Sequence, residues 1–116
     1  MIQSYKDLVV WQKAVSLVEA VYRSTESFPK EEVFGLISQM RRSAISIPSN
    51  IAEGSSRGTR KDYCQFLRIS LGSCSELETQ VIIAEKLKFM DFSKSAKLLQ
   101  QLNEIMKILN TIIKKL

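Results

Sequence analysis

The sequence predicts an all-α protein, an up-down-up-down antiparallel four-helix bundle. Apolar residues recur at helical spacing in four separate stretches, and the links between these stretches are short. The chain has only four glycines and two prolines, fewer than the many tight turns of a β-sandwich or barrel require. Its 116 residues, of which 45% are apolar, suit a single domain over residues 1–116 with one hydrophobic core.

The first and fourth predicted helices have wide apolar faces. The first runs from Asp7, as its cap, to about Thr25, and the fourth begins at Asp91 or Ser93. Two adjacent apolar stripes cover about half of the first helix, more than the roughly 100° of an ordinary surface helix. The main stripe of the fourth helix alternates by three and four positions, through Leu99, Leu102, Met106, Leu109, Ile113 and Leu116. The excess width indicates either burial between subunits or simply a wide core, and we expect an oligomer.

The second predicted helix contains a proline in its middle. It begins near Pro29, which suits a first helical turn, and ends near Gly54, a residue expected in the left-handed conformation past a helix end. One apolar seam runs along it, through Val33, Ile37, Met40, Ala44, Ile47 and Ile51. Pro48 lacks the N–H that would bond to the carbonyl of Ala44, so the helix either continues with a kink or breaks and restarts at the proline. Because the seam keeps its phase across Pro48, we expect a continuous, kinked helix.

The third predicted helix begins after Thr59, which is expected to cap it, with Asp62 at the third helical position. Small residues surround Gly72 in its middle. Because a glycine costs a helix about 1 kcal/mol, we expect a close helix contact there. Cys64 and Cys74 lie ten residues apart on this helix, about 15 Å along its axis, too far for a disulfide. We expect both to be free, buried thiols.

Charge and composition limit the classes of function. A net charge of +5 permits an acidic partner such as nucleic acid without requiring one. The chain has no histidine, no phosphate-binding glycine motif and no cluster of metal ligands, so we expect no enzyme, no cofactor and no metal. No apolar run is long enough to span a membrane, and the N-terminal segment Met1–Lys6 lacks the apolar core of a secretory signal. We therefore expect a cytoplasmic protein without a membrane partner.

Basic residues are predicted to gather at one end of the bundle, where the first helix begins, the second meets the third and the fourth ends. We assign to a nucleic-acid-binding surface the cations Lys6, Lys13, Arg57, Arg60, Lys61, Arg68, Lys114 and Lys115. Free N–H groups at the start of the third helix add an anion site, with phosphate as the obvious ligand. Since Tyr63 is the only aromatic residue beside the basic turn, we expect contacts to the backbone of RNA or DNA with little sequence specificity. The alternative is a solvated loop whose charges only maintain solubility.

A polar stripe accompanies the apolar seam of the second helix. The stripe consists of Arg42, Ser46, Asn50 and Glu53, and Arg41 lies next to it in the sequence. One interpretation is a structural polar network that fixes the register of the bundle. The other is a functional site, and an enzyme would need Arg42, Asn50 and Glu53 to line an open pocket. A lone carboxylate beside an arginine is a poor general acid, which disfavours the enzyme.

Several segments resemble one known family. They are Tyr5–Ala14, Phe34–Ala44, Ser46–Gly54 and Gly72–Gln80. The run Ser-Ile-Pro-Ser-Asn-Ile-Ala-Glu-Gly, residues 46–54, is the most specific of them. The chain resembles the four-helix-bundle proteins encoded in intervening sequences of bacterial 23S ribosomal RNA genes. The motifs span Tyr5 to Met90, and the fourth helix agrees by pattern.

The resemblance implies a bundle that assembles into a ring, typically a homopentamer, with no known catalytic activity. Related accessory variability proteins of diversity-generating retroelements pair with a reverse transcriptase and bind nucleic acid through a basic surface. RNA or DNA, and a reverse transcriptase or another protein, are therefore the partners that the resemblance implies. The family's motif residues on the second helix are here Arg41, Arg42, Asn50 and Glu53, whose role in folding or binding stays open. A scaffold or protein-interaction module without a nucleic-acid role is the alternative.

Overall fold

The computed structural model describes residues 4–116 and is helical throughout, with four main helices and no strand in that range. The helices are α1 (Val9–Thr25), α2 (Leu36–Ser56), α3 (Arg60–Lys86) and α4 (Phe92–Lys115). Short 3-10 helices, Tyr5–Asp7 and Lys30–Glu32, precede α1 and α2. The prediction of an all-α fold with four helices is thus confirmed. Residues 1–3 lie outside the described range. They belong to the N-terminal segment that we predicted not to be a secretory signal.

Each helix packs against its neighbours in the chain, and α1 also packs against α4. All four contribute large side chains that are fully buried in one core, among them Leu17, Met40, Ile47, Leu67, Leu77, Leu102, Ile105 and Leu109. The links also contact each other, because the rings of Phe28 and Phe89 lie 5.6 Å apart. No helix within residues 4–116 combines the length and the apolar character that a membrane span requires.

The N-terminus of α1 differs from the prediction. Asp7 does not cap α1, which begins at Val9 after Leu8. Asp7 instead closes a capping box on the preceding 3-10 helix: its carboxylate accepts from the Ser4 N–H, while the Ser4 hydroxyl accepts from the Lys6 N–H. The expected cap was wrong because Ser4, three residues upstream, starts a separate turn that uses the aspartate.

The N-terminus of α2 also lies later than predicted. Pro29 begins only a 3-10 turn, and α2 starts at Leu36 after Gly35. Val33 therefore lies outside α2 with 51% of its surface exposed, and its predicted place in the apolar seam is wrong. The rest of the seam is buried, through Ile37, Met40, Ala44, Ile47 and Ile51.

Helix α2 continues through Pro48, so the alternative of a break at Ile47 is not observed. Pro48 is buried, and the carbonyl before it, that of Ile47, accepts a hydrogen bond from the Ser70 hydroxyl at 2.9 Å. This bond fastens α2 to α3 next to the position where the proline removes a helical donor. The bend of the axis at Pro48 stays a prediction.

The glycines have roles different from those predicted. Helix α2 extends past Gly54 to Ser56, and the left-handed residue of the turn is Gly58, with φ +88°. Gly54 instead allows α3 to approach, since a Cβ there would lie 2.7 Å from the Cβ of Phe66. Gly72 has nothing within 4 Å of a Cβ position, so the predicted close contact at Gly72 is wrong. The sequence of one helix shows where its glycines lie, but it does not show which of them faces another helix.

The predicted helix starts of α3 and α4 are confirmed. The Thr59 hydroxyl accepts from the Asp62 N–H at 3.1 Å, and the Asp91 carboxylate accepts from the Lys94 N–H at 2.9 Å. Both cysteines are free, with Cys74 fully buried and Cys64 only partly buried. Of the stripe predicted on α4, Leu102 and Leu109 are buried, whereas Leu99, Met106 and Ile113 are only partly buried. Leu98 and Ile105, which lie beside that stripe, are buried instead. Much of the excess apolar width of α4 therefore widens the core.

Candidate nucleic-acid interface

Three of the predicted cations line one groove at the start of α3. Arg60, Lys61 and Arg68 surround a depression of about 620 Å³ whose other lining residues are Cys64, Gln65 and Leu116. Lys61, Cys64 and Arg68 fall on one face because positions three, four and seven apart share a side of an α-helix. No acidic side chain belongs to this lining. The groove thus presents positive charge around a partly apolar floor.

The N-terminus of α3 lies beside this groove. Gly58, at positive φ, turns the chain, and Thr59 caps the helix. A second, smaller depression of about 300 Å³ is lined by Gly54, Ser55, Gly58, Thr59, Arg60 and Tyr63. Burial raises the pKa of Tyr63 above its ordinary value. Arg60 belongs to both depressions and connects the helix terminus to the basic groove.

Arg57 is partly neutralised. Its guanidinium lies 3.5 Å from the Glu53 carboxylate, one turn earlier on α2, and 5.0 Å above the ring of Phe66. Both partners of the ion pair are about half exposed, so the pair contributes only a few tenths of a kcal/mol. Glu53 nevertheless places a negative charge at the edge of the predicted surface.

The remaining predicted cations differ in position. Lys13 pairs with Glu104 of α4 at 2.9 Å and lines a different groove, between α1 and α4. Lys114 and Lys115 are exposed and directly precede Leu116, which lines the basic groove. Lys6 is exposed in the N-terminal 3-10 helix, and its carbonyl accepts from the Gln12 side chain. The structure therefore gathers Arg60, Lys61 and Arg68, brings the end of α4 to them, and places Lys13 elsewhere.

The polar residues of α2 divide into separate contacts. Arg41 connects α2 to α1: it donates to the Thr25 hydroxyl at 3.0 Å and the Tyr22 carbonyl at 3.3 Å, and its guanidinium lies 4.4 Å from the Tyr22 ring centre. The Thr25 side chain is buried and Arg41 is partly buried, so this contact joins the two helices at the edge of the core. Arg41 is a structural link between α1 and α2.

Asn50 belongs to a second group, between α2 and α3. Its amide donates to the Ser46 carbonyl at 2.8 Å and to the Ser46 hydroxyl at 2.9 Å, and the Ser73 hydroxyl donates to the same Ser46 oxygen at 2.9 Å. Glu53 pairs with Arg57, and Arg42 lines a separate cleft. Arg41, Arg42, Asn50 and Glu53 are thus not joined in a single network.

Sequence reasoning missed that cleft. It lies between α2 and α3 and is lined by Gln39, Arg42, Ser43, Ser46, Glu76 and Gln80. The signal was present as polar residues at helical spacing on two helices, but only the half on α2 was recognised. No group of three or more potential metal ligands occurs among residues 4–116. Burial, together with the charge of Glu78, raises the pKa of the Cys74 thiol to about 12, so this thiol is not a nucleophile at neutral pH.

Fold and surface together define a four-helix protein with a cationic groove where α3 begins and α4 ends. The chain belongs to the family of 23S rRNA-intervening sequence proteins, whose family model matches residues 6–111. This confirms the resemblance found in the sequence.

A solved structure is similar over nearly its whole length. It is the crystal structure of a protein of unknown function from the S23 ribosomal protein family of Bacteroides thetaiotaomicron VPI-5482. The two chains share 25% sequence identity with a TM-score of 0.83, and the match covers 91% of this chain and 99% of the other. No curated protein matches this chain.

Proposed function

We propose that this protein is a non-enzymatic, cytoplasmic, oligomeric four-helix bundle that binds RNA or DNA through phosphate contacts at its basic end. The observation that carries the proposal is the groove of Arg60, Lys61 and Arg68, which contains no acidic side chain. Phosphate contacts from clustered cations supply most of the affinity of non-specific nucleic-acid binding. The N-terminus of α3 adds backbone N–H donors that can also bind phosphate.

We also propose that the helices follow an up-down-up-down order and that α2 bends at Pro48. The order is supported by contacts that join the ends of consecutive helices. Arg41 of early α2 binds Thr25 at the end of α1, and Gly54 of late α2 meets Phe66 of early α3. At the other end of α3, Glu85 accepts a hydrogen bond from Ser95 of early α4. In this order, Lys114 and Lys115 lie beside the basic groove.

The oligomer is proposed from apolar surface. In α3, Ile69, Ile82 and Ile83 are 42–46% exposed, and Leu87, directly after the helix, is 55% exposed. Such side chains on one helix are commonly covered by a partner. A second copy of the chain is the partner we propose, in the homopentameric arrangement that the sequence resemblance implies. Repetition of a weak phosphate site around a ring would raise its affinity by multivalency.

A scaffold is the second candidate, and specific surface features favour it. Phe34 and Phe92, in or next to the links, are 95% and 74% exposed. Exposed phenylalanines fit the hydrophobic centre of a protein interface, and a reverse transcriptase or another protein is the partner that the resemblance implies. An enzyme is disfavoured because Glu53 is held by Arg57 and Asn50 by Ser46.

Fluorescence anisotropy with labelled structured RNA and duplex DNA, repeated over a salt series, tests the proposed function. The variant Arg60→Ala/Lys61→Ala/Arg68→Ala should bind more weakly. The slope of log affinity against log salt should become shallower by about two to three, since each phosphate contact contributes about 0.7 to 0.9.

The matched control is Lys86→Ala/Lys94→Ala/Lys97→Ala, which removes the same charge from exposed positions near the α3–α4 link. If both variants lose affinity equally, the binding reflects net charge and not the groove. If the native protein does not bind at low salt, the scaffold remains.

A further inference from the structure

A polar cleft between α2 and α3 is left unexplained by the proposed function. Its volume is about 430 Å³, and its lining consists only of polar and charged residues: Gln39, Arg42, Ser43, Ser46, Glu76 and Gln80. It is separate from the basic groove, because the two share no lining residue. Any ligand of this cleft is therefore independent of the basic groove.

Two opposite charges lie level with each other across the cleft without pairing. The contacts of Ser46 with Ser73 and of Gly54 with Phe66 set the register of the two helices, and this register places Arg42 opposite Glu76. Both side chains are exposed, and among residues 4–116 neither has an ion-pair partner within 4.0 Å. The cleft thus holds one available cation on α2 and one available anion on α3.

The wall of the cleft contains an unsatisfied acceptor. Gln80 Oε1 is buried and has no hydrogen-bond partner among the described residues. Buried polar atoms in folded proteins nearly always have a partner, but this oxygen is too enclosed for a ligand of the cleft to provide one. On the α2 side, the Ser46 oxygen accepts from Ser73 and Asn50, which leaves its own proton free to be donated. The cleft thus offers the donors Arg42 and Ser46 on α2 and the acceptor Glu76 on α3.

We propose that this cleft binds a small zwitterion of the α-amino acid class. The ligand carboxylate accepts from the Arg42 guanidinium and the Ser46 hydroxyl, and its ammonium group donates to the Glu76 carboxylate. Because the cleft contributes one positive and one negative charge, a ligand with both charges balances it, whereas an anion or a cation alone leaves one group unpaired.

The test is a titration of the native protein, observed in ¹H–¹⁵N correlation spectra, with each proteinogenic L-α-amino acid in turn. We expect at least one to bind with a millimolar dissociation constant, and the shifts to be confined to residues 39–46 and 73–80. Two analogues of that amino acid, one without the ammonium group and one without the carboxylate, should bind at least about tenfold more weakly. Equal binding of either analogue, shifts elsewhere, or no binding of any amino acid overturns the proposal.

Variants separate binding from folding. Glu76→Gln and Arg42→Gln each change an exposed side chain that makes no ion pair among residues 4–116, so each should weaken binding at least about tenfold. Gln65→Leu and Arg68→Gln are the matched controls in the basic groove and should leave amino acid binding unchanged. If Arg42→Gln keeps full affinity, the zwitterion site is wrong. If it instead lowers the subunit number, the cleft is a subunit interface, and the proposal is equally overturned.

Discussion

Gly54 of α2 and Phe66 of α3 lie in direct backbone-level contact, so close that a Cβ on residue 54 would lie 2.7 Å from the Phe66 Cβ. The ring and the carbonyl of Tyr63 would each be 3.3 Å away. The Phe66 Cβ and the Tyr63 carbonyl are fixed by the backbone of α3 and cannot move aside easily. The contact holds α2 against the start of α3, and therefore positions the residues that line the basic groove.

We expect Gly54→Ala to destabilise the protein by about 1–3 kcal/mol, because the added methyl group overpacks this contact. The matched control is Gly72→Ala. A Cβ at residue 72 meets nothing within 4 Å, so alanine there should stabilise α3 by up to about 1 kcal/mol through its helix propensity. Urea unfolding followed by circular dichroism measures both free energies. A Gly54→Ala variant as stable as the native protein would contradict the close contact.

Adjacent arginines on α2 should respond differently to the same substitution. Arg41→Lys should cost about 1–2 kcal/mol, since a lysine cannot reproduce the guanidinium contacts with Thr25, the Tyr22 carbonyl and the Tyr22 ring. Arg42→Lys should change the free energy of unfolding by less than about 0.5 kcal/mol, as is usual for an exposed residue. Thermal unfolding of the two variants, under identical conditions, measures the difference. Equal losses would show that both arginines serve the fold.

Lys88 and Gly58 both have positive φ, so adding a glycine at residue 88 and removing the glycine at residue 58 should have opposite effects on stability. Lys88, two residues after the end of α3, has φ 63°, and the Phe89 N–H bonds to the Ala84 carbonyl in the turn that ends the helix. Since glycine adopts this conformation without steric cost, Lys88→Gly should stabilise the protein by about 0.5–1 kcal/mol. Gly58→Ala, at φ 88°, should destabilise it by a similar amount. Denaturant midpoints of the two variants, which should move in opposite directions, measure this.

The features predicted correctly depend on neighbours in the sequence. Thr59 and Asp91 cap their helices because the N–H groups that they bind lie three residues away, as local sequence rules require. The buried seam of α2 follows from helical spacing alone. The errors concern contacts between helices. Gly54 and Gly72 look alike in the sequence, yet only Gly54 meets a neighbouring helix.

The candidate site illustrates the same limit. Arg60, Lys61 and Arg68 were predictable as a cationic face because they lie on one helix. Lys13 was placed with them by its position near a helix end, whereas Glu104, which binds it, is distant in the sequence. The cleft of Arg42 and Gln80 was missed because its halves lie on separate helices, and the register between helices is not encoded in the spacing of either one.

The buried thiol of Cys74 makes stability sensitive to alkaline pH. Burial and the charge of Glu78 raise its pKa from 9.0 to about 12 in the folded protein. The unfolded chain therefore releases this proton near pH 9 and the folded chain only near pH 12, so the contribution to stability is constant below pH 9 and is lost as the pH rises between these values. Across this range, the free energy of unfolding should fall less steeply with pH in Cys74→Ala than in the native protein. The difference in slope should correspond to the release of about one proton on unfolding. Parallel curves for the two proteins would contradict the raised pKa.

The proposed oligomer predicts a specific weakness on α3. Ile69 and Ile83 lie fourteen residues apart, on the same face of the helix, and both are more than 40% exposed. In a subunit interface, Ile69→Glu/Ile83→Glu would bury two charges without partners, so the subunit number measured by light scattering should fall while the helical content stays unchanged. Val9→Glu, on α1 and 58% exposed, is the control and should keep the native mass. A monomeric native protein would rule out the oligomer, and an unchanged mass in the double variant would move the interface to another face of the bundle.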